Sequence, residues 1–147
     1  MTTLHITSAG DLDVGTLYAI LRLRSEVFIV EQDCPYQDVD GRDLETGTRH
    51  IWLAAAEAEP VAYLRILDEP DGSARIGRVC VSPRARRRGH AGALLAAALG
   101  EVGDREAVLD AQTYALALYE AAGFVPDGAE FAEDGIAHLP MRRSPRA

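Results

Sequence analysis

The chain contains no lysine. All 15 of its basic residues are arginine, set against 23 acids, for a net charge of −8. General affinity for nucleic acid comes from neutralising phosphates, and this balance excludes a nucleic-acid partner of that kind. Cysteine is almost absent as well. Cys34 and Cys80 alone cannot make a disulfide framework or a four-cysteine zinc site, and no metal site is read. The longest apolar run, Ala93–Leu99, has seven residues, where a membrane span needs about 20, so no membrane span is expected. The opening residues, MTTLHITSAGD, lack a basic segment followed by an apolar stretch, so no signal peptide is read and the cytoplasm is the expected location. The absence of lysine together with abundant alanine suggests a GC-rich bacterial source. No internal repeat or low-complexity tract is visible.

What remains is an ordinary globular composition, 48% hydrophobic and 26% charged over 147 residues, enough for one domain with a proper core. Leu4–Thr7 alternates like a short strand. Asp11 or Asp13 offers a cap for a helix in which Val14, Leu17, Tyr18 and Leu21 recur at helical spacing, continuing, whole or broken, to about Val30. The span Asp33–Gly47, punctuated by Cys-Pro, Asp-Gly and Thr-Gly, reads as a loop. Strands follow at His50–Ala56, Val61–Leu67 and Ala74–Ser82, joined by hairpin-length connectors at Glu57–Pro60 and Asp68–Ser73. Ala91, Leu94, Leu95, Ala98 and Leu99 make an amphipathic helix. Ala107–Ala111 reads as a buried strand, and Thr113–Ala122 as a helix ended by Gly123. Phe124–Phe131 and Ile136–Met141 read as two final strands about the turn Glu133-Asp134-Gly135, and the chain from Arg142 as a loose tail. The sum is one α/β domain over residues 1–147, a mixed sheet of about six to seven strands with helices against it.

The most informative segment is Ser82–Leu95. Arg84, Arg86, Arg87 and Arg88 fall within five positions, followed by Gly89, His90, Ala91, Gly92 and a helix. A helix N-terminus presents unpaired N–H groups and a positive dipole end, small residues admit a close ligand, and arginines add charge-assisted bonds to phosphate. The segment therefore reads as a site for a di- or polyphosphate; the competing reading is a solvated basic turn. The P-loop pattern is absent, and the hairpins upstream do not suit a dinucleotide fold.

These residues resemble a known family. Arg86-Arg87-Arg88-Gly89-His90-Ala91 is similar to the (Gln/Arg)-x-x-Gly-x-(Gly/Ala) signature of the GNAT superfamily of N-acetyltransferases, in which this loop and helix hold the pyrophosphate of acetyl-CoA. Downstream, Gln112, Ala115, Tyr119, Gly123 and Phe124 are similar to the family's Asn, Ala, Tyr and Gly-Phe motif at the same spacing, with Gln112 in place of the usual Asn beside the pantetheine arm. The block Leu23–Asp43, the pair Arg49-His50, and Asp134–His138 resemble the ElaA-like subfamily. The resemblance implies a GNAT-like domain with a mostly antiparallel mixed sheet and helices on both faces. It implies acetyl-CoA as cosubstrate, held by Arg86, Arg87, Arg88, Gly89, His90, Ala91, Gly92 and Gln112 and by the backbone near Val79, Cys80 and Val81. It also implies a small-molecule or peptide amine as acceptor, and sheet-mediated homodimers occur among such proteins. A longer-chain acyltransferase and a non-catalytic CoA-binding sensor are the alternatives.

Acyl transfer from a thioester to an amine needs a held donor, a neutral amine, a stabilised carbonyl oxygen and a protonated leaving thiolate. The second-motif tyrosine, Tyr119, is the general-acid candidate, since a phenol of pKa about 10 can protonate a thiolate of about 8.5; packing in the core is its other reading. The strand Arg75–Val81 carries no carboxylate, so the base candidates are Glu31, His50 and His138, or a water chain. Cys80 reads as a buried apolar residue rather than a nucleophile. Two acidic stretches, Asp38, Asp40, Asp43 and Glu45, and Asp127, Glu130, Glu133 and Asp134, read either as walls attracting a cationic amine or as solvated surface. Without lysine, the chain has no lysine side chain to acetylate on itself.

Overall fold

The computed structural model describes residues 1–55 and 59–145. The sheet elements are β1 (Thr3–Ser8), β2 (Arg49–Ala54), β3 (Pro60–Asp68), β4 (Ala74–Val81), β5 (Ala107–Gln112), β6 (Val125–Pro126), β7 (Phe131–Glu133) and β8 (Ile136–Arg143). The helices are α1 (Val14–Arg24), continued without interruption by a π-helical turn at Ser25–Glu31, then α2 (His90–Val102) and α3 (Leu116–Ala121). Residue 56, expected at the end of the second strand, and residues 57 and 58 of its connector lie outside the described residues, as do 146 and 147.

All eight strands join one sheet in the order β1-β2-β3-β4-β5-β8-β6, with β7 also on β8. β1 to β4 form the antiparallel meander that the hairpin-length connectors predict. The crossover through α2 makes β4 and β5 parallel, and they pair only at Ala74 with Ala107 and Arg75 with Val108. Beyond Arg75 the two strands part, which opens the middle of the sheet.

Alternation assigns the two faces. Ile51, Leu53, Ala62, Leu64, Ile66, Ala74 and Ile76 pack under Leu94, Leu95, Ala98 and Val102 of α2. Trp52, Ala54 and Tyr63 pack on the other face under Ile20, Leu23, Val27 and Phe28. Helices thus cover both faces.

Four details depart from the sequence reading. The α1 stripe is rotated: Val14 is 83% exposed and Tyr18 74%, while Ile20, Leu23 and Arg24 face inward. The buried stripe contains a charged residue, which hid it. The expected strand Phe124–Phe131 is broken into β6 and β7, because Pro126 has no N–H for a ladder and Gly128 follows. β8 runs on to Arg143, so the tail begins later than Arg142; Arg142 is tied to Asp127 at 2.9 Å and to Glu106, and Arg143 is buried. The sheet has eight strands rather than six or seven because of that same break. The turn between β7 and β8 is as expected, with Asp134 at φ +51° and Gly135 at φ +78°, the paired left-handed residues of a tight hairpin.

Candidate active-site cleft

The sequence of β4 builds the centre of the site. Its register on β3 slips by one residue, so that Tyr63 faces Cys80 but Arg65 faces Gly77. The extra residue makes a bulge at Arg78, whose φ is +55°. Without the bulge, Arg78 would face α2. With it, Arg78 and Cys80 turn toward α1, while Val79 and Val81 pack toward α2. Bulges beside active sites re-aim side chains in this way.

The gap between β4 and β5 leads into a cleft of about 900 Å³, within the usual size of small-molecule sites. Arg86, Arg87, Gly89, His90, Ala91, Gly92, Leu118 and Tyr119 line it on the α2 and α3 side. Phe28, Glu31, Gln32, Cys34, Tyr36, Arg78, Cys80, Gln112, Glu133, Asp134 and His138 line it toward α1. The sequence-predicted residues Glu31, Val79, Cys80, Val81, Arg86, Arg87, Gly89, His90, Ala91, Gly92, Gln112, Tyr119 and His138 therefore share one cavity. Arg88 and His50 do not line it.

The α2 end is built for an anion. Gly89 caps the helix with φ +75° and no side-chain hydrogen bond, so it leaves the N–H groups of His90, Ala91 and Gly92 without helical partners. No acid sits in the first turn. A Cβ on Gly92 would meet open space, with nothing outside its own helix and chain neighbours within 4 Å. Arg87, at φ +64°, holds the left-handed backbone that wraps the loop around this end. Donor phosphates fit these residues by charge and by hydrogen-bond polarity.

Tyr119 is 7% exposed and meets Phe124 edge-on at 6.2 Å. Burial pushes its phenol up to about 12, so the proton stays on at neutral pH, and its hydroxyl has no hydrogen-bond partner among the described residues. The Cys80 thiol is raised by burial, which suits a packed thiol and not a nucleophile. His138 donates from Nδ1 to the Ile136 carbonyl at 2.8 Å and stacks on Phe131. A carbonyl can only accept, so the neutral ring keeps its basic lone pair on Nε2. Glu31 is bonded to Arg86, which holds its carboxyl below the usual range.

His50 has a different place. It is fully buried, donates from Nε2 to the Asp43 carbonyl at 2.9 Å and accepts from the Tyr63 hydroxyl at 2.7 Å. Both ring nitrogens are committed, away from the cleft. Around it lies a network that the sequence did not reveal. Arg24 donates to Asp38 Oδ2 at 3.0 Å, to the Asp38 carbonyl at 2.9 Å and to Asp43 Oδ1 at 2.6 Å. Arg65 binds Asp40 at 2.6 Å and Asp43 at 3.0 Å, and Arg78 binds Asp38 at 2.7 Å. The first acidic stretch is therefore neutralised, not an open wall for an amine. Glu45 is paired with Arg42, and Asp127 with Arg142. Of both stretches, Glu133 and Asp134 line the cleft.

Stability should follow from this network. Hydrogen bonding from Arg65 drives the Asp40 carboxyl well below its ordinary value. Burial works to raise Asp43, but its bonds to Arg24 and Arg65 prevail and lower it. Burial lowers His50. Each group is depressed in the fold, so the unfolded chain binds more protons in acid and stability falls with pH. Urea midpoints measured from pH 8 to 3 should begin to drop below about 6.5, as unfolded histidine takes its proton, and steepen near about 4 as the unfolded carboxylates do. A flat profile down to pH 4 would contradict this.

Gln32 and Tyr114 were not singled out in the sequence. Gln32 exchanges amide hydrogen bonds with Gln112 at 3.2 and 3.4 Å, tying the π turn to the end of β5. Gln112 thus has a partner in the protein at the place where the family usually has Asn. Tyr114, 80% exposed, lies at the cleft rim. No local pattern marks Gln32, because its partner lies 80 residues away in the chain. Among the described residues, no group of three or more His, Cys, Asp or Glu could hold a metal, and no helix is long and apolar enough to cross a membrane.

The arginine loop and the uncapped end of α2 beside the parted β4 and β5 are the residues that resemble the GNAT signature, and a family model described as an acetyltransferase (GNAT) domain matches residues 21–145. The chain belongs to the GNAT family. It is similar to ElaA of Escherichia coli, 42% identical over 140 residues with 91% of each chain covered. It is also similar to a UPF0039 protein of Mycobacterium tuberculosis, 51% identical over 138 residues, covering 92% of this chain and 88% of that one. Among solved structures, an acyl-CoA N-acyltransferase from Pseudomonas aeruginosa superposes with a TM-score of 0.93 at 39% identity, covering 98% of this chain and all of that one. The E. coli ElaA crystal structure gives 0.92 at 38% identity, with the same coverage. The ElaA-like GNAT fold is thereby established, and the matches support an acyltransferase.

Proposed function

We propose that this protein transfers an acetyl group from acetyl-CoA to a primary amine by direct attack within a ternary complex. The observation that carries the reading is the open seam between β4 and β5, with α2's free N–H groups at one end and Tyr119 and His138 both lining it. The pyrophosphate is held at the N–H groups of His90, Ala91 and Gly92, with Arg87 and Arg88 contributing charge from the loop. The pantetheine arm follows the unpaired edge of β4 at Val79–Val81 and passes Gln112. A β4 amide on that edge polarises the thioester carbonyl as charge develops on its oxygen.

The acceptor enters from the α1 side. Its ammonium, of pKa about 10.4, must lose a proton before attack. His138 is the better placed of the base candidates, because it lines the cleft and its Nδ1–H is given to the Ile136 carbonyl, which leaves the Nε2 lone pair to take the proton. The amine nitrogen forms its bond to the acetyl carbon, the carbon–sulfur bond breaks, and Tyr119 gives its proton to the departing thiolate.

Replacing Tyr119 by Phe tests this reading. It removes one hydroxyl from a packed ring and leaves the edge-on contact with Phe124. The kcat for CoA release in the presence of an amine should fall about 100-fold, while the Kd for acetyl-CoA changes less than about twofold. An unchanged kcat would give Tyr119 to packing alone. A wild-type protein that binds acetyl-CoA but never releases CoA across a panel of amines would make it a sensor.

A further inference from the structure

The guanidinium of Arg86 holds two walls of the cleft at once. Its Nε donates to the Val81 carbonyl at 3.2 Å, and its two Nη groups grip the Glu31 carboxylate, Nη1 at 2.6 Å. Glu31 ends the π turn on the opposite wall, 55 residues earlier in the chain. Both side chains are part-exposed, at 41% and 38%, so the pair is accessible to a competing ligand.

The Val81 carbonyl is not a neutral place for Arg86 to rest. The Ser82 amide donates to the Val61 carbonyl at 2.7 Å, so Ser82 faces β3. In an antiparallel ladder the next residue turns its amide and carbonyl the other way. Val81 therefore points its carbonyl into the seam beside β5, on the edge assigned above to the pantetheine arm. Pantetheine carries amide N–H donors that need such carbonyls. Arg86 occupies that acceptor with its own donor.

Resting on the functional reading above, we propose that Arg86 is a strap across the donor channel, held in place by Glu31, and that donor binding must displace it. The pyrophosphate offers Arg86 a stronger anionic partner than Glu31, because it is doubly charged and sits at the helix N-terminus. The guanidinium moves from Val81 and Glu31 to the phosphates, and the pantetheine arm takes the Val81 carbonyl. Glu31 is left as an unpaired carboxylate on the acceptor wall, where an ammonium is its natural partner. Donor binding thus prepares the acceptor side, and the order is donor first. Glu31 is a positioning residue in this scheme, acting on the donor through Arg86.

The two halves of the strap give opposite signs. Acetyl-CoA carries the pyrophosphate that draws Arg86 away, whereas S-acetylpantetheine does not. Calorimetric titration of both ligands into the wild type, Glu31→Gln and Arg86→Ala separates the effects. Glu31→Gln should bind acetyl-CoA about fivefold more tightly, the value of an exposed bidentate pair that no longer has to be broken. Arg86→Ala should bind acetyl-CoA more weakly but S-acetylpantetheine at least threefold more tightly. A simple structural tie would weaken every combination. An acetyl-CoA affinity that is unchanged or weaker in Glu31→Gln, or an Arg86→Ala variant weaker for both ligands, overturns the strap and leaves the transferase reading standing. Failure of the wild type and both variants to bind either ligand overturns both.

Discussion

Arg24→Met should lower the unfolding free energy by about 3–5 kcal/mol, the cost of removing one partner from a buried charge network. The methionine nearly matches the volume of the arginine stem and would leave little cavity. What it cannot replace are three hydrogen bonds, two to Asp38 and one to Asp43. Arg24 is fully buried, and those two aspartates are almost so, hence neither carboxylate can turn to water. For a chain of this length the loss corresponds to a fall of about 6–20 °C in Tm. Arg65 and Arg78 retain their bonds to the same aspartates, which keeps the expected loss near that of one partner. Thermal unfolding of the two proteins side by side is the measurement, and a shift under 2 °C would mean the network adds little.

This network marks where the sequence stopped being readable. Arg24 belongs to the buried stripe of α1, but a charged residue at that position reads as solvent-facing. Asp38, Asp40 and Asp43 read either as an acidic wall or as solvated surface because their partners lie on α1, β3 and β4, brought to them only by the fold. His50 read as a candidate base for the same reason, since nothing local to it shows that the Asp43 carbonyl and Tyr63 hydroxyl claim both its nitrogens. The face of Arg78 depends on a one-residue bulge that leaves no mark in the alternation of β4. The loop and helix end proposed here for the donor could be picked out because their physics is local. Gly89 with α2 behind it, small residues in the first helical turn and arginines before it lie within ten positions. The strands were legible where hydrophobic alternation and hairpin turns agreed, and failed at Pro126, where the ladder itself breaks.

Gly92→Asp should abolish donor binding, with a loss of at least about 1,000-fold in affinity for acetyl-CoA. On the proposed function the donor's phosphates sit at the first turn of α2, which contains Gly92, and an added carboxylate there brings like charges close at a cost of several kcal/mol. The fold has no reason to suffer. Beyond its own helix and chain neighbours nothing lies within 4 Å of the new Cβ, a glycine is removed from a helix, and an acid in the first turn is favourable to the helix dipole. The Tm of Gly92→Asp should equal or exceed that of the wild type, so lost binding cannot be blamed on lost structure.

The titration that matters most compares acetyl-CoA with free CoA, octanoyl-CoA, NAD and ATP, each into the wild type and Gly92→Asp. Tightest binding of acetyl-CoA to the wild type, little or none of NAD and ATP, and no detectable binding to Gly92→Asp is the expected result. At 100 times its Kd, such a ligand adds about 2.7 kcal/mol to the folded state, visible in the same samples as a rise in Tm. Tightest binding of octanoyl-CoA would move the donor to a longer acyl chain. No binding of any CoA species by the wild type, or undiminished binding by Gly92→Asp, would mean that the seam between β4 and β5 is not a donor site.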